Sequence, residues 1–170
     1  MFIKGLSFGT VFFRVGDRLI HGQIVEGWVK FLNATKIVVI DDKVADDPIY
    51  RSAMEIAVPL DIKIRILPVE NSISEIDRCC KDKEITIALF SNLEDVYKAV
   101  RLGLRIEKLN LGGLRFVKEK KSISKTVFLN KEEADILEKL INLGIEISIQ
   151  SIPSEPSKDI QKTFIENIKA

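Results

Sequence analysis

Two stretches of this 170-residue chain, Ile37-Val38-Val39-Ile40 and Ile85 to Phe90, are apolar runs without alternation. A strand reads that way when both of its faces are buried. Helical periodicity lies on either side of them. From Gly22 to Phe31 the apolar stripe is Ile24, Val25, Trp28, Val29 and Leu32, with Gln23, Glu26, Lys30 and Asn33 opposite. Leu93, Val96, Tyr97 and Val100 form a second such stripe after the second run. Strands that need cover on both faces, separated by amphipathic helices, imply βαβ crossovers and a mostly parallel sheet.

The rest of the chain repeats the alternation. Val11 to Val15 is a first strand, closed by a turn at Gly16-Asp17-Arg18. Asp47-Pro48 supplies an N-cap with proline at the first helical position, and Pro59 marks the far end of that helix. Ile62, Ile64 and Ile66 follow with strand period, then Asn71 and Ser72 cap a short helix carrying Ile73 and Ile76. Ile106 to Leu111 and Thr126 to Leu129 read as strands, separated by Gly112-Gly113 and a basic stretch, Lys118 to Lys121, read as a solvated loop. Lys131 to Asn142 is amphipathic through Ala134, Leu137, Leu140 and Ile141, with Gly144 as a stop. Ile145, Ile147 and Ile149 form a last strand, and Ile160, Phe164 and Ile168 suggest a terminal helix. The expectation is one α/β domain over residues 11–170 with about six or seven strands and helices on both faces. Residues 1–10 are an N-terminal extension without an assigned role.

Composition excludes several functions. Lys+Arg 26 against Asp+Glu 25 leaves no basic excess for nucleic acid or acidic lipid. No apolar run approaches the roughly 18 to 20 residues of a membrane span, and the start lacks a signal-peptide core, so a cytoplasmic protein is expected. Cys79 and Cys80 are adjacent, a spacing unsuited to a zinc pair or a mutual disulfide, and are read as buried thiols on one helix.

In an open parallel sheet, ligands gather at the carboxyl ends of the strands. The loop there after the first strand is Gly16-Asp17-Arg18-Leu19-Ile20-His21-Gly22-Gln23, and His21 is the chain's only histidine. An imidazole is nucleophilic near neutral pH and forms a reactive phosphoramidate. The amides and dipole of the following helix, Arg18, and Arg14 could meet the added negative charge. Asp17 could orient the ring by accepting a proton from one ring nitrogen, and the glycines allow close backbone approach. A lone histidine is also, by default, an ordinary surface or core residue, and Arg14 could be a strand residue with a surface salt bridge. From the residues alone, the loop is an anion site in outline.

Competing motifs are missing. No G-x-G-x-x-G follows the first strand, and no G-x-x-x-x-G-K-[ST] or G-x-S-x-G occurs. One histidine and two adjacent cysteines give no zinc-type ligand set.

The segment Arg14-Val15-Gly16-Asp17-Arg18-Leu19-Ile20-His21-Gly22-Gln23-Ile24-Val25 closely resembles the active-site signature of enzyme IIB of the mannose/fructose/sorbose type, from the phosphoenolpyruvate-dependent sugar phosphotransferase system. Asp41-Asp42 with Asp47-Pro48, Leu109-Asn110-Leu111-Gly112-Gly113, and Ile149-Gln150 with Pro153 resemble later segments of that family, in the expected order. The resemblance implies a doubly wound, Rossmann-like sheet and a phosphocarrier. Such a protein takes a phosphoryl group from a phosphohistidine on IIA and passes it to a sugar bound by the membrane components IIC and IID. By position, His21 would carry the phosphoryl group on Nδ1, with Arg18 stabilising it; Arg14 stands, from the residues alone, as a second candidate phosphate ligand. Asp17, Ser91 and Asn110 would stand behind them, with no metal or cofactor. The implied partners are IIA, IIC/IID and the sugar, with peripheral membrane association through IIC/IID, and self-association into a homo-oligomer is left open.

Gly16 departs from the family, which usually has an acidic residue or asparagine there, and the start extends about ten residues beyond the usual beginning. A regulatory module that has lost transfer, and a Rossmann-like domain binding a nucleotide or another phosphorylated metabolite, are the alternative readings.

Overall fold

The chain forms strands β1 (Thr10–Gly16), β2 (Lys36–Ile40), β3 (Lys63–Leu67), β4 (Ile85–Phe90), β5 (Lys108–Gly113), β6 (Lys121–Ser122), β7 (Phe128–Leu129), β8 (Glu146–Ile149) and β9 (Lys158–Asp159). The structure is a computed structural model describing residues 10–160 and 162–170, with 162 and 163 described by backbone only. Seven strands make one sheet in the order β3-β2-β4-β1-β5-β8-β9. All neighbours are parallel except β8 and β9. β2 is buried at every residue, as the unbroken apolar run over 37–40 requires, and Lys36 at its start is buried as well.

A π-helical segment, Gln23–Trp28, runs directly into α1 (Val29–Leu32). The remaining helices are α2 (Asp42–Asp46), α3 (Pro48–Ala57), α4 (Ser72–Lys81), α5 (Leu93–Arg101), α6 (Lys131–Asn142) and α7 (Lys162–Lys169). Alternate strand residues point to opposite faces, which divides the core in two. On one face Trp28, Val29 and Met54 pack with Ile37, Val39, Ile87 and Leu89. On the other, Ile76, Val96, Leu137 and Ile165 pack with Val38, Ile40, Ala88 and Phe90. The sheet is therefore doubly wound, with α1 and α3 on one side and α4 to α7 on the other.

Local chemistry sets the boundaries. Asp47 Oδ1 accepts from the amides of Ile49 and Tyr50 at 3.0 and 3.1 Å, with Pro48 opening α3. Asn130 and Glu133 form a reciprocal capping box at the start of α6, and Gly144, at φ +90°, stands just past its end. At the amino edge of the sheet, buried Lys36 pairs with buried Glu75 at 2.8 Å, and Arg78 also reaches Glu75, at 2.7 Å.

Several expectations change. Of the expected strand Thr126 to Leu129, only β7 forms, and it pairs antiparallel with β6 in a separate ribbon. The basic stretch is not wholly solvated, because Lys120 is drawn onto Glu133 at 2.6 Å. Cys79 is buried but Cys80 is exposed, since consecutive helical residues point about 100° apart. The buried face of α7 is Ile165 and Ile168, while Phe164 is exposed. Of the expected extension, residues 1–9 lie outside the described residues, and Thr10 opens β1.

Candidate functional site

β1 lies between β4 and β5, and the helix that follows it packs on the opposite face from those following its neighbours. The connections therefore part at the carboxyl end of β1, opening the kind of crevice in which such sheets bind ligands. The His21 loop fills that edge.

Backbone contacts fix the loop to β5. The Asp17 amide donates to Gly113 O at 3.0 Å, and the Leu19 amide donates to Gly16 O at 3.0 Å. Leu19 sits in the left-handed region at φ 53°, with its side chain buried in the α1-side core. That conformation costs a leucine about 1–2 kcal/mol, which burial of the side chain, at about 1.5–3 kcal/mol, offsets. The reversal leaves Arg18 exposed and His21 half-buried at the mouth of the helix.

His21 is held from its backbone and its ring. Its carbonyl accepts from the amides of Ile24 and Val25 at 2.9 and 3.1 Å, which starts the helix. The Gln23 amide donates to His21 Nδ1 at 3.3 Å, so Nδ1 carries the lone pair and Nε2 the proton. Partial burial holds the ring's pKa below its ordinary value; the positive charges of Arg18 and Arg14 push the same way, and Asp17 opposes them. A free-base imidazole at neutral pH follows.

Arg14 is not a strand residue with a surface salt bridge. It is 1% exposed, and among the described residues it pairs with no carboxylate. Nη1 donates to Asn110 Oδ1 and to Gln150 O (2.9 Å), and Nη2 donates to Ser151 O at 2.8 Å. The guanidinium lies 5.2 Å from the Trp28 ring centroid, and Trp28 Nε1 donates to the same Ser151 carbonyl at 3.0 Å. Burial lowers its pKa to about 10, which leaves it charged at neutral pH. The cation is committed to carbonyls and reaches His21 as a field.

The expected residues behind the loop separate into three places. Asp17 does not hold the imidazole, because its Oδ2 accepts from the Arg115 amide at 3.1 Å and pairs with Arg115 Nε at 2.9 Å. Those bonds brace the loop from Asp17, and Gly16 has room for a side chain, its nearest would-be contact being Gly113 O at 3.8 Å. Ser91, at the end of β4, donates to Asp41 Oδ2 and accepts from Asn92 Nδ2 at 2.9 Å, while Asp41 Oδ1 caps α2 through Val44. Asn110 lies opposite Arg14 in the β1–β5 register, its Nδ2 buried and, among the described residues, without a partner.

Three residues take roles at the site that the sequence does not show, Ser151 and Arg115 among them and Gly112 visible there only as one of a glycine pair. Ser151 accepts from Arg14 and Trp28 through its carbonyl, and its hydroxyl donates to Gly112 O at 2.9 Å and meets Thr126 Oγ1 at 2.8 Å. Gly112 lies directly under the guanidinium: a Cβ there would sit 2.6 Å from Arg14 Nε and closer still to Cζ and Nη2. Arg115 joins the loop through Asp17. The Gly112-Gly113 pair was the one visible signal, since only a glycine admits a group lying on its Cα. Among the described residues, no three of His, Cys, Asp and Glu are placed to hold a metal ion.

The fold and edge define a doubly wound α/β protein with an anion-receptive, free-base imidazole at its first loop. The family described as the sorbose subfamily IIB component of the phosphotransferase system matches residues 10–170. The sorbose-specific EIIB component of Lacticaseibacillus casei is 34% identical over 86% of this chain and 90% of its own length. The mannose-specific EIIAB component of Escherichia coli is 29% identical over 84% of this chain, which corresponds to 44% of that longer protein. The crystal structure of the IIBSor domain of the sorbose permease from Klebsiella pneumoniae superposes with a TM-score of 0.82 at 30% identity, covering 93% of this chain and 97% of that one. The chain belongs to the sorbose subfamily of IIB components of the sugar phosphotransferase system. As such it is a phosphotransferase that accepts a phosphoryl group from IIA and passes it to a sugar, in a system with IIA and IIC/IID partners. No helix among the described residues is long and apolar enough to cross a membrane.

Proposed function

We propose that His21 Nδ1 is the atom that carries the phosphoryl group. The observation that supports this best is the Gln23 amide directed at Nδ1, which leaves that nitrogen as the lone-pair site of the chain's only histidine. The lone pair attacks phosphorus on phospho-IIA, the donor's P–N bond breaks, and the donor imidazole leaves. A sugar hydroxyl then attacks the same phosphorus, the P–Nδ1 bond breaks, and the hydroxyl proton is released. Transfer of this kind depends mainly on in-line positioning and charge stabilisation. Arg18, exposed on the loop, supplies a charge-assisted contact to the phosphoryl oxygens, and the helix-opening amides supply neutral donors. Arg14 contributes a fixed positive field from beneath.

Relatives named for sorbose, N-acetylgalactosamine, fructose and mannose support an acceptor among hexoses and amino-hexoses. In this reading the chain meets the sugar on the membrane components IIC and IID, docking peripherally, and those components select it. Residues 10–170, the span of the family match, act as the transfer unit. The test is label transfer from phosphoenolpyruvate through enzyme I, HPr and IIA. Wild type takes up acid-labile phosphate and loses it when sugar and vesicles carrying IIC and IID are added. Labelling of a His21→Ala variant to the wild-type level contradicts the proposal.

A further inference from the structure

The segment between Leu114 and Thr126 carries Arg115, Lys118, Lys120, Lys121 and Lys125 against one acid, Glu119, in a chain whose net charge is only +1. At its crest Phe116 and Val117 are 63% and 53% exposed. The crest is fixed in place: the Phe116 ring stands edge-on to Phe128 with centroids 5.6 Å apart. It is tied to the His21 loop through the Arg115–Asp17 pair at 2.9 Å and the Asp17 amide on Gly113. Lys120 is spent on Glu133, whereas Lys118, Lys121, Lys125 and, across the loop, Arg18 are exposed.

We propose that this ridge is the docking contact for the phosphorylated IIA donor. Phe116 and Val117 form the apolar centre, and Lys118, Lys121 and Arg18 form the basic rim. The proposal rests on His21 being the acceptor, because the ridge matters for transfer only through its tie to the loop that carries that ring. An apolar anchor inside a charged rim is the usual anatomy of a specific contact. Its sign selects the partner. A donor presenting a dianionic phosphoryl group is attracted, and the basic rim speeds its encounter. The cytoplasmic loops of a membrane permease carry excess Lys and Arg, so the same rim disfavours them. An anionic lipid surface would also be attracted, but it gives no role to a rigid aromatic crest tied to the acceptor loop.

The experiment compares two phosphoryl donors on the full chain, a cognate phospho-IIA protein and the small molecule phosphoramidate. Phe116→Ser raises the KM for phospho-IIA about tenfold or more, the size of an interface hot spot, with little change in kcat. Lys118→Glu, at an exposed position, raises it several-fold and flattens its dependence on salt. Both variants take phosphate from phosphoramidate at the wild-type rate. An unchanged KM for phospho-IIA in both variants overturns the proposal. So does sedimentation of wild type, but not Lys118→Glu, with phosphatidylglycerol vesicles when both have the same KM for phospho-IIA. Failure of wild type to accept phosphate from either donor is a separate result, and it removes the His21 reading itself.

Discussion

Gly112→Ala tests the buried cation that underlies the site. The added Cβ would lie 2.6 Å from Arg14 Nε and nearer still to Cζ and Nη2, so the guanidinium must leave its place. At 1% exposure it has no adjoining solvent to swing into, and its bonds to Asn110 Oδ1, Gln150 O and Ser151 O are lost, Ser151 O keeping only the Trp28 donor. Hydrogen bonds to a charged group contribute about 1.5–3 kcal/mol each. Partial relaxation that still sacrifices two of them costs about 4 kcal/mol. With a urea m-value of about 2 kcal/mol/M, the unfolding midpoint falls by about 2 M. Gly16→Ala is the control, since its nearest contact is an ordinary 3.8 Å and its effect stays within about 1 kcal/mol. Urea titration followed by Trp28 fluorescence reads both, and Trp28 shares the Ser151 carbonyl with Arg14. Equal midpoints for the two variants would show that Gly112 does not cradle the guanidinium.

The His21 titration midpoint, followed by NMR of the ring carbons, lies below the ordinary value because of burial, Arg18 and Arg14, and Arg18→Ala moves it upward. Since the neutral ring is the nucleophile, phosphate uptake is full above that midpoint and falls as pH drops through it, and Arg18→Ala shifts the fall to higher pH. Glu75→Ala strips buried Lys36 of its 2.8 Å partner and costs about 3–5 kcal/mol in chemical denaturation. Asp47→Ala removes the cap of α3 and costs about 1 kcal/mol, with phosphate uptake unchanged.

Much of the fold was legible because its signals are local. The unalternating runs at β2 and β4 announced strands covered on both faces, and Asp47-Pro48 announced the start of α3. The loop bearing His21 was legible as well, from its place after the first strand and from its resemblance to IIB signatures. The supporting shell was not. Arg14 looks like any strand arginine until residues 96 to 137 positions away in sequence supply Asn110 and the carbonyls of Gln150 and Ser151. Backbone carbonyls leave no trace in residue identity, so Ser151 could not be read as an acceptor for two side chains. In the sequence Asp17 could orient the imidazole four residues on, whereas the fold brings Arg115 to it from beyond the carboxyl end of β5. The π-helical opening at Gln23–Trp28 was read as an ordinary helix, because its apolar stripe fits both periods over so short a span.

Phosphoryl transfer through this chain turns on one atom, His21 Nδ1. Phosphorylate the chain through phospho-IIA, locate the phosphate by mass spectrometry, and assign the ring nitrogen from the phosphorus–nitrogen and phosphorus–proton couplings in NMR. The structure predicts one acid-labile phosphoryl group on His21, bonded to Nδ1, with the Gln23 amide resonance shifting as its acceptor changes from nitrogen to phosphoryl oxygen. Phosphate on Nε2 with the Gln23 amide unmoved, or on any residue other than His21, would contradict it.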